Sequence, residues 1–402
     1  ACLSIVVLIS GIGYTIYKMQ LNQIIIAYFN NSNYIEEHYV SPNETSLNFP
    51  QQKRNLIHIY LESVENTYLS KELGGVEKEN LMPYLTELTK EGIVFSDNEK
   101  TFGGAYQTFG SEWSIAAMVN MEAGVPLKVQ GGNSYGTHGY FLPGIINLGD
   151  ILEGEGYNQT IMFGADAKFG GLDTYFTTHG KFKIYDYYHA IELGKIDKDY
   201  YEWWGFEDSK LFEYAKEELL VLSNSGKPFH FNMETADTHF PDGYVTPTTG
   251  NKFDKQYANV IAHSDKQVYD FIRWIQQQDF YENTTIVLTG DHLSMDKNYF
   301  KNIDSKYRRS VFNLILNAPI DTKYSKNRHF GNYDMFPTIL RSMGVKIDGN
   351  RLGIGTDLFS GVKTIIEKDG YDFLQREFNK TSIFFDKEFL DKTKDSIYQA
   401  KR

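Results

Sequence analysis

The feature that most constrains the fold is a repeating order of strand-length apolar segments and helical segments from residue 54 onward. The segments that predict strands are 55–62, 158–166, 227–235, 285–289 and 310–318. The segments with helical periodicity are 79–92, 111–121, 148–156, 208–226, 257–278 and 333–344. Strands separated by helices predict an α/β domain with a central, mostly parallel sheet flanked by helices. In such sheets, ligands bind at the carboxyl ends of the strands.

Three side chains that can bind a metal follow two of these predicted strands. Glu62 ends the first strand, and Asp291 and His292 follow the strand that stops at Gly290 in "TIVLTGDHLSM". Taken alone, this Asp-His pair is equally typical of an ordinary polar loop. Because parallel strands end at one edge of a sheet, we expect the three side chains to lie together. Two carboxylates and an imidazole suit Mn²⁺, Mg²⁺ or Zn²⁺.

Thr108 is the predicted nucleophile. It lies in the glycine-rich segment "FGGAYQTFGSEWS", just before a predicted helix for which Ser111 is a plausible N-cap. Backbone N–H groups at such a helix start can hold an anion. A hydroxyl that contacts a divalent cation has a lowered pKa and becomes a usable nucleophile. Judged without the other motifs, Thr108 is an ordinary loop threonine.

Composition and charge exclude several classes of protein. The net charge of −12 and the lack of a basic cluster argue against a nucleic-acid partner. The single cysteine, Cys2, excludes an internal disulfide, a cysteine-based zinc site and a catalytic thiol in the folded region. An acidic enzyme can still act on anions when a bound cation supplies the local positive charge.

The N-terminal segment predicts a membrane anchor. Residues 1–17 are apolar and uncharged, which is slightly shorter than the roughly 20 apolar residues that span a bilayer. We interpret residues 1–18 as the end of a transmembrane helix and residues 19–53 as a juxtamembrane helix and linker. A buried core helix is the alternative interpretation of the first segment.

Together these motifs resemble the phosphoglycerol transferases of the alkaline phosphatase/sulfatase superfamily, the group that includes lipoteichoic acid synthase. Glu62 matches a metal-binding Glu at the end of the first strand. Thr108, with Ser111 and Glu112 three and four residues later, matches the nucleophile. The Gly-Asp-His at 290–292 matches two further ligands. His239 in "DTHFP" matches a histidine that binds the substrate phosphate. The resemblance covers residues 54–361.

The segment 164–181 is more similar to the branch that acts on osmoregulated glucans and to streptococcal enzymes that add glycerol phosphate to cell-wall polysaccharide. Lipoteichoic acid synthases carry a phosphate-binding Arg near the position of Gly171, and this chain has no Arg there. Lys168 is the nearest cation and the predicted replacement. Asp166 is a candidate for binding the glycerol hydroxyls, and His179 is a further substrate-binding candidate. Each of the last three is also typical of a solvated loop.

The resemblance implies a sulfatase-like catalytic domain over residues 54–361 and a small C-terminal lobe over residues 362–402. It also implies one divalent metal ion, with Mn²⁺ favoured over Mg²⁺ and Zn²⁺. The implied ligands of this ion are Glu62, Thr108, Asp291 and His292. Tryptophans such as Trp113 and Trp204 can stack on sugars, although packing in the core is the more common use of a tryptophan.

The implied function is a membrane-anchored transferase with an extracellular catalytic domain in a bacterium, favouring a Gram-positive one. It moves sn-glycerol phosphate from phosphatidylglycerol to a cell-wall polysaccharide or a teichoic acid-like polymer through a covalent intermediate on Thr108. His239 is expected to bind phosphate or to act as an acid or base.

A phosphoethanolamine transferase or a phosphodiesterase of the same superfamily is the alternative function. A sulfatase activity is disfavoured because Thr108 is not part of a Cys/Ser-x-Pro-x-Arg motif. A surface binding module with a degraded metal site is the non-enzymatic alternative. The presence of all four implied ligands argues against that module.

Overall fold

The computed structural model describes residues 30–128 and 139–391. The predicted transmembrane segment, residues 1–18, lies outside the described residues. None of the helices in the described ranges combines the length and the apolar character needed to cross a bilayer.

Eleven strands form within the described residues, and seven of them build one central sheet. The strands are β1 (Leu47–Asn48), β2 (Asn55–Leu61), β3 (Gly92–Ile93), β4 (Asn158–Phe163), β5 (Lys183–Tyr185), β6 (Phe229–Glu234), β7 (Thr284–Gly290), β8 (Asn313–Leu316), β9 (Lys346–Ile347), β10 (Arg351–Leu352) and β11 (Gly355–Thr356). The order in the central sheet is β3-β8-β7-β2-β6-β4-β5. The five strands from β7 to β5 are parallel, and β8 pairs antiparallel with both β7 and β3.

Helices cover both faces of this sheet. They are α1 (Tyr34–His38), α2 (Pro83–Leu88), α3 (Ser114–Ala123), α4 (Leu148–Gly154), α5 (Leu172–Thr178), α6 (Tyr187–Glu192), α7 (Asp208–Ser223), α8 (Gln256–Ile275), α9 (Met335–Ser342), α10 (Ile365–Asp369), α11 (Tyr371–Asn379) and α12 (Ile383–Phe385). Helices α3, α4, α5 and α9 pack in the core on one face, and α2, α7 and α8 pack in the core on the other. The predicted α/β architecture with a mostly parallel sheet is therefore confirmed.

Strand β2 explains why the sheet is buried on both sides. All seven of its residues are buried. Leu56 and Tyr60 belong to the core on one face, while Ile57 and Ile59 belong to the core on the other. A continuous apolar run of this kind is typical of a parallel strand covered by helices on both faces.

The register of the sheet aligns the carboxyl ends of four strands. Leu61 at the end of β2 pairs with Gly290 at the end of β7. Glu234 at the end of β6 pairs with Tyr60 of β2 and with Phe163 at the end of β4. The residues that follow these strands therefore emerge side by side at one edge of the sheet.

The described part of the predicted C-terminal lobe packs directly on the main core. Leu374, Phe378 and Phe385 are buried in the same cluster as residues of α3 and α9. The hydroxyl of Tyr34 in α1 donates to the carboxylate of Asp369 at the end of α10. These helices thus link the start of the described chain to the core on one face of the sheet.

Candidate metal and nucleophile site

The carboxyl edge of the sheet brings three predicted metal ligands together. Glu62 and Asp291 are the residues that follow the paired ends of β2 and β7, and His292 is next along the chain. His292 Nε2 lies 3.7 Å from Glu62 Oε1 and 3.3 Å from Asp291 Oδ2. One potential ligand atom from each residue lies within 4.8 Å of the others, and all three residues are buried. We call these three residues the ligand cluster.

Neighbouring groups orient each member of the ligand cluster. Asp291 Oδ1 accepts hydrogen bonds from the backbone N–H of Ser63 at 2.8 Å and of His292 at 2.6 Å. Asp291 Oδ2 is buried and has no hydrogen-bond partner within the described residues. His292 Nδ1 lies 3.0 Å from the carbonyl oxygen of Leu293, so Nδ1 carries the donated proton and Nε2 keeps a lone pair. The two free atoms are those that a cation can bind.

The charges in the ligand cluster are also those of a cation site. Burial and the nearby Glu62 carboxylate raise the pKa of Asp291 to about 7. Burial lowers the pKa of His292, but the charges of Asp291 and Glu62 outweigh this effect, and the net shift is upward. Two buried carboxylates repel each other unless a proton or a cation lies between them. The donor set therefore fits a divalent ion.

Thr108 lies in a loop whose two ends are hydrogen-bonded next to the ligand cluster. We call residues 107–113 the threonine loop. The side-chain oxygen of Gln107 accepts from the backbone N–H of Leu293 at 2.8 Å. The hydroxyl of Ser114, directly after the loop, lies 3.3 Å from Glu62 Oε2 and donates to it. Thr108 itself is fully buried, and its Oγ1 has no hydrogen-bond partner within the described residues.

Side chains of the protein accept hydrogen bonds from several backbone N–H groups of this loop, which the sequence analysis had offered to a bound anion. The N–H of Thr108 donates to Ser111 Oγ at 3.0 Å, and those of Gly110 and Ser111 both donate to Glu112 Oε2, at 2.7 and 3.0 Å. Ser111 is also not the N-cap, because α3 begins at Ser114 and Trp113 occupies the cap position. The Glu112 carboxylate occupies the place of an anion at Gly110 and Ser111, so these two amides are not free to bind a substrate anion.

Helix α11 holds the threonine loop from the opposite side. The backbone N–H of Phe109 donates to Gln375 Oε1 at 2.6 Å. The hydroxyl of Tyr371 donates to the carbonyl oxygen of Gln107 at 2.7 Å. Gln375 Nε2 donates to the same Tyr371 hydroxyl at 2.6 Å. Sequence analysis assigned no role to residues 362–402, and nothing local in that segment indicates this contact.

His239 lies beside the ligand cluster in a cavity of about 360 Å³ that Glu62 and His292 also line. Its Nδ1 lies 2.6 Å from the carbonyl oxygen of Phe240, so in the neutral ring Nε2 is an acceptor. The imidazole packs edge-on against Trp204, with ring centroids 4.9 Å apart. Burial lowers the pKa of His239. The ring therefore donates through Nε2 only when an additional proton makes it an imidazolium.

The remaining predicted substrate contacts occupy different positions. Asp166 lines the cavity. Lys168 is exposed and outside the cavity lining, and its backbone N–H donates to Asp166 Oδ1 at 2.9 Å. His179 is fully buried, with Nδ1 2.6 Å from Asp150 Oδ2 and Nε2 2.9 Å from the carbonyl oxygen of Phe141. His179 is not among the residues that line the cavity. Both of its ring nitrogens already have partners within the protein.

Glu234 is a cavity residue that the sequence analysis missed. It is the last residue of β6 and lines the same cavity as Glu62 and His239. Burial and the nearby charges of Asp291 and Glu62 raise its pKa well above the ordinary value. The rule that selected Glu62, a carboxylate at the end of a predicted strand, also applies to Glu234. It was overlooked because no resembling motif includes it.

Comparison with known proteins agrees with this architecture. The profile of the Sulfatase family matches residues 54–345. The chain is 32% identical over 334 residues to phosphoglycerol transferase I of Escherichia coli strain K12, and the aligned part is 81% of this chain. The chain spans about 41% of the length of that relative.

Two solved structures share the fold. Lipoteichoic acid synthase LtaP from Listeria monocytogenes has a TM-score of 0.64 at 17% identity, over 91% of this chain and 97% of that one. A protein of the alkaline phosphatase superfamily from Vibrio parahaemolyticus has a TM-score of 0.59 at 22% identity, over 78% of this chain and 72% of that one. With the family profile covering most of the chain and the same fold in these structures, the chain belongs to the sulfatase family of the alkaline phosphatase superfamily.

Proposed function

We propose that this chain is the catalytic part of a metal-dependent phosphoglycerol transferase that uses Thr108 as a covalent nucleophile. The observation that carries the proposal is the buried Thr108 hydroxyl, which has no hydrogen-bond partner within the described residues and lies in a loop whose ends are bound next to the ligand cluster, through Gln107 to Leu293 and through the following Ser114 to Glu62. The similarity to phosphoglycerol transferase I supports glycerol phosphate as the transferred group.

The ligand cluster and Thr108 would together hold the divalent ion. Members of this superfamily use a divalent metal, and the unpaired Asp291 Oδ2 and Thr108 Oγ1 are oxygen donors of the kind that fit it. When bound, the ion lowers the pKa of a contacting hydroxyl and stabilises negative charge on phosphoryl oxygens. Mn²⁺ is our first choice, and Mg²⁺ and Zn²⁺ are the alternatives.

In the first half-reaction, Thr108 Oγ1 attacks the phosphorus of phosphatidylglycerol. A bond forms between Oγ1 and phosphorus, and the bond between phosphorus and the diacylglycerol oxygen breaks. The imidazolium form of His239 gives its Nε2 proton to the departing diacylglycerol oxygen. The hydroxyl proton of Thr108 is released. The step therefore takes one proton from His239 and releases one proton from Thr108.

In the second half-reaction, a hydroxyl of a cell-surface glycan or polymer attacks the same phosphorus. The new oxygen–phosphorus bond replaces the bond to Thr108, whose oxygen takes up a proton. Neutral His239 accepts the proton of the attacking hydroxyl through Nε2, in the reverse of its first role. The acceptor we propose is a cell-wall polysaccharide or a teichoic acid-like polymer.

We also propose a location at the outer face of a bacterial cell membrane, in a Gram-positive organism. The apolar residues 1–17 support an anchor that keeps the site close to the lipid donor. The cavity has mainly apolar walls, including Trp113, Phe163 and Trp204, which favours a donor whose reacting phosphate lies close to apolar groups.

The test is a covalent adduct on Thr108. The full chain is incubated with Mn²⁺ and vesicles of phosphatidylglycerol, and the Thr108 peptide is examined by mass spectrometry. We expect a mass increase of one glycerol phosphate and release of diacylglycerol. Vesicles of phosphatidylethanolamine, run in parallel, test the alternative phosphoethanolamine transfer. An adduct on a different residue, or none with either lipid, would contradict the mechanism.

A matched control is available within the chain. Thr356 is fully buried, and like Thr108 its Oγ1 has no hydrogen-bond partner within the described residues. Neither threonine is among the residues that line the cavity, but Thr356 lies on β11, outside the threonine loop, and its backbone N–H donates to Asp334 Oδ1 at 2.7 Å. Thr356→Ala therefore removes the same atoms from a comparable environment, and we expect it to keep the adduct that Thr108→Ala loses.

A further inference from the structure

Glu234 is a half-buried carboxylate in the cavity that the proposed mechanism does not use. Its Oε1 is buried and has no hydrogen-bond partner within the described residues. The Ser114 hydroxyl, which lines the same cavity, donates to Glu62 Oε2. Glu234 is not part of the ligand cluster. A polar atom buried without a partner is unfavourable unless a ligand or water completes it.

The charged groups that line the cavity are mostly acidic. The carboxylates of Asp166 and Glu234 line it together with Glu62 and His292 of the ligand cluster. Among the described residues, no lysine or arginine lines this cavity. When the phosphate of a substrate lies at the ligand cluster, the rest of its polar group therefore faces hydrogen-bond acceptors. It faces no lysine or arginine of the described residues.

We propose that Glu234 is a specificity-determining residue that accepts a hydrogen bond from a hydroxyl of the transferred group. This inference rests on the proposed function and assigns the transferred group to the phosphate esters of polyols. A polyol satisfies the acceptor that Glu234 presents, whereas a plain alkyl group leaves it unpaired in an apolar environment. An unpaired buried partner is what lets a site reject an analogue that lacks a hydroxyl.

The strongest test compares two lipids that differ only in the hydroxyls of the headgroup. Vesicles of phosphatidylglycerol and of phosphatidylpropanol are given to the Mn²⁺-loaded chain, and the rate of adduct formation on Thr108 is measured. We expect the wild type to favour phosphatidylglycerol by about 10- to 100-fold, the cost of leaving a buried hydrogen-bonding group without its partner. In Glu234→Leu, the ratio of the two rates should fall close to one.

Two further variants separate hydrogen bonding from charge and from folding. Glu234→Gln keeps the shape and one acceptor oxygen, so it should keep most of the preference, with a loss of less than about 10-fold. Glu122 is a fully buried glutamate on α3 that does not line the cavity, and its Oε2 has no hydrogen-bond partner within the described residues. Glu122→Gln should leave the ratio unchanged. Thermal melting of each variant verifies that it is folded.

Direct binding gives a readout that does not depend on turnover. Calorimetry in the presence of Mn²⁺ compares sn-glycerol 1-phosphate with propyl phosphate, and we expect only the wild type and Glu234→Gln to favour the glycerol ester. An equal affinity of the wild type for both esters would overturn the role of Glu234. A binding preference without any adduct on Thr108 would instead support the subsite and refute the proposed transfer.

A third lipid distinguishes a hydroxyl from an ammonium group. An ammonium requires the negative charge of Glu234, whereas a hydroxyl requires only an acceptor. If the wild type reacts faster with phosphatidylethanolamine, and Glu234→Gln abolishes that preference, the assignment to polyols is overturned. A rate ratio that Glu234→Leu does not change would overturn the inference for either headgroup.

Discussion

The ligand cluster and the threonine loop lie at the same edge of the sheet but are held by different interactions. Glu62 and Asp291 follow paired residues of two neighbouring strands, and Asp291 is oriented by backbone N–H groups next to it in space. The threonine loop is held by side chains, including Gln375 and Tyr371, which are 264 or more residues away in sequence.

The sheet determines the position of the ligand cluster, whereas the packing of distant side chains determines the position of the threonine loop. The position of the ligand cluster depends on the strand register, so it should persist as long as β2 and β7 remain paired. The position of Thr108 depends on individual hydrogen bonds, including those from α11 and from Asn120 of α3, so it should be sensitive to small changes far from the metal. Metal affinity and turnover should therefore respond differently to changes in the two regions.

The largest effect is expected for Asp291→Asn, which removes a charged ligand and keeps the shape of the side chain. The Oδ1 atom can still accept from the Ser63 and His292 amides, so the fold should be retained. Loss of an outer-shell partner typically lowers metal affinity by roughly 10- to 100-fold, and we expect loss of this ligand to exceed that range. Titration calorimetry with Mn²⁺ measures it. Wild-type affinity would show that Asp291 is not a ligand.

Thr108→Ala should change metal affinity less and turnover more. The three residues of the ligand cluster remain in place, so Mn²⁺ affinity should fall by no more than about 10-fold, less than for Asp291→Asn. Turnover should fall by on the order of 10³-fold or more, because the nucleophile is gone. Calorimetry and diacylglycerol release, measured on the same sample, separate the two quantities. Turnover at the wild-type rate would refute the covalent mechanism.

Sequence was sufficient for the ligand cluster because periodicity determines where strands end. Glu62, Asp291 and His292 needed only the strand assignments and the rule that ligands bind at carboxyl ends. Glu234, the last residue of β6, obeys the same rule. For these four residues the physical information is local, since it is contained in the strands and in the residue that follows or ends each one.

The hydrogen-bond partners of the threonine loop could not be predicted from the sequence. Its amides are occupied by Glu112 and Gln375, and a sequence pattern does not reveal which side chain will fold back onto a loop. His179 is a similar case: its contacts with Asp150 and Phe141 depend on tertiary packing. A histidine with both ring nitrogens occupied is indistinguishable in sequence from one that is free.

An intermediate effect is expected for Gln375→Met, which has a similar length but no amide. The Phe109 N–H loses its acceptor, and we expect the free energy of unfolding to fall by about 1 to 3 kcal/mol. Displacement of the loop should lower kcat by roughly 10- to 100-fold, with Mn²⁺ affinity close to the wild-type value. Gln375→Glu restores an acceptor oxygen and should recover most of kcat. Equal losses in both variants would indicate a structural role only.

The smallest effect is expected for Tyr371→Phe, which removes one hydroxyl and leaves the ring packed in place. The carbonyl oxygen of Gln107 loses a donor, while the bond from the Phe109 N–H to Gln375 is retained. The hydrogen bond from Gln375 Nε2 to this hydroxyl is lost as well. Each such bond is worth about 0.5 to 1.5 kcal/mol and the loop keeps its bond to Gln375, so kcat should fall only a few-fold and metal affinity should not change. Combining this change with Gln375→Met tests whether the two contacts act as one unit. If they do, the double variant should lose less than the sum of the two single effects, since each contact already depends on the other. Strictly additive losses would show that α11 holds the loop through two independent contacts.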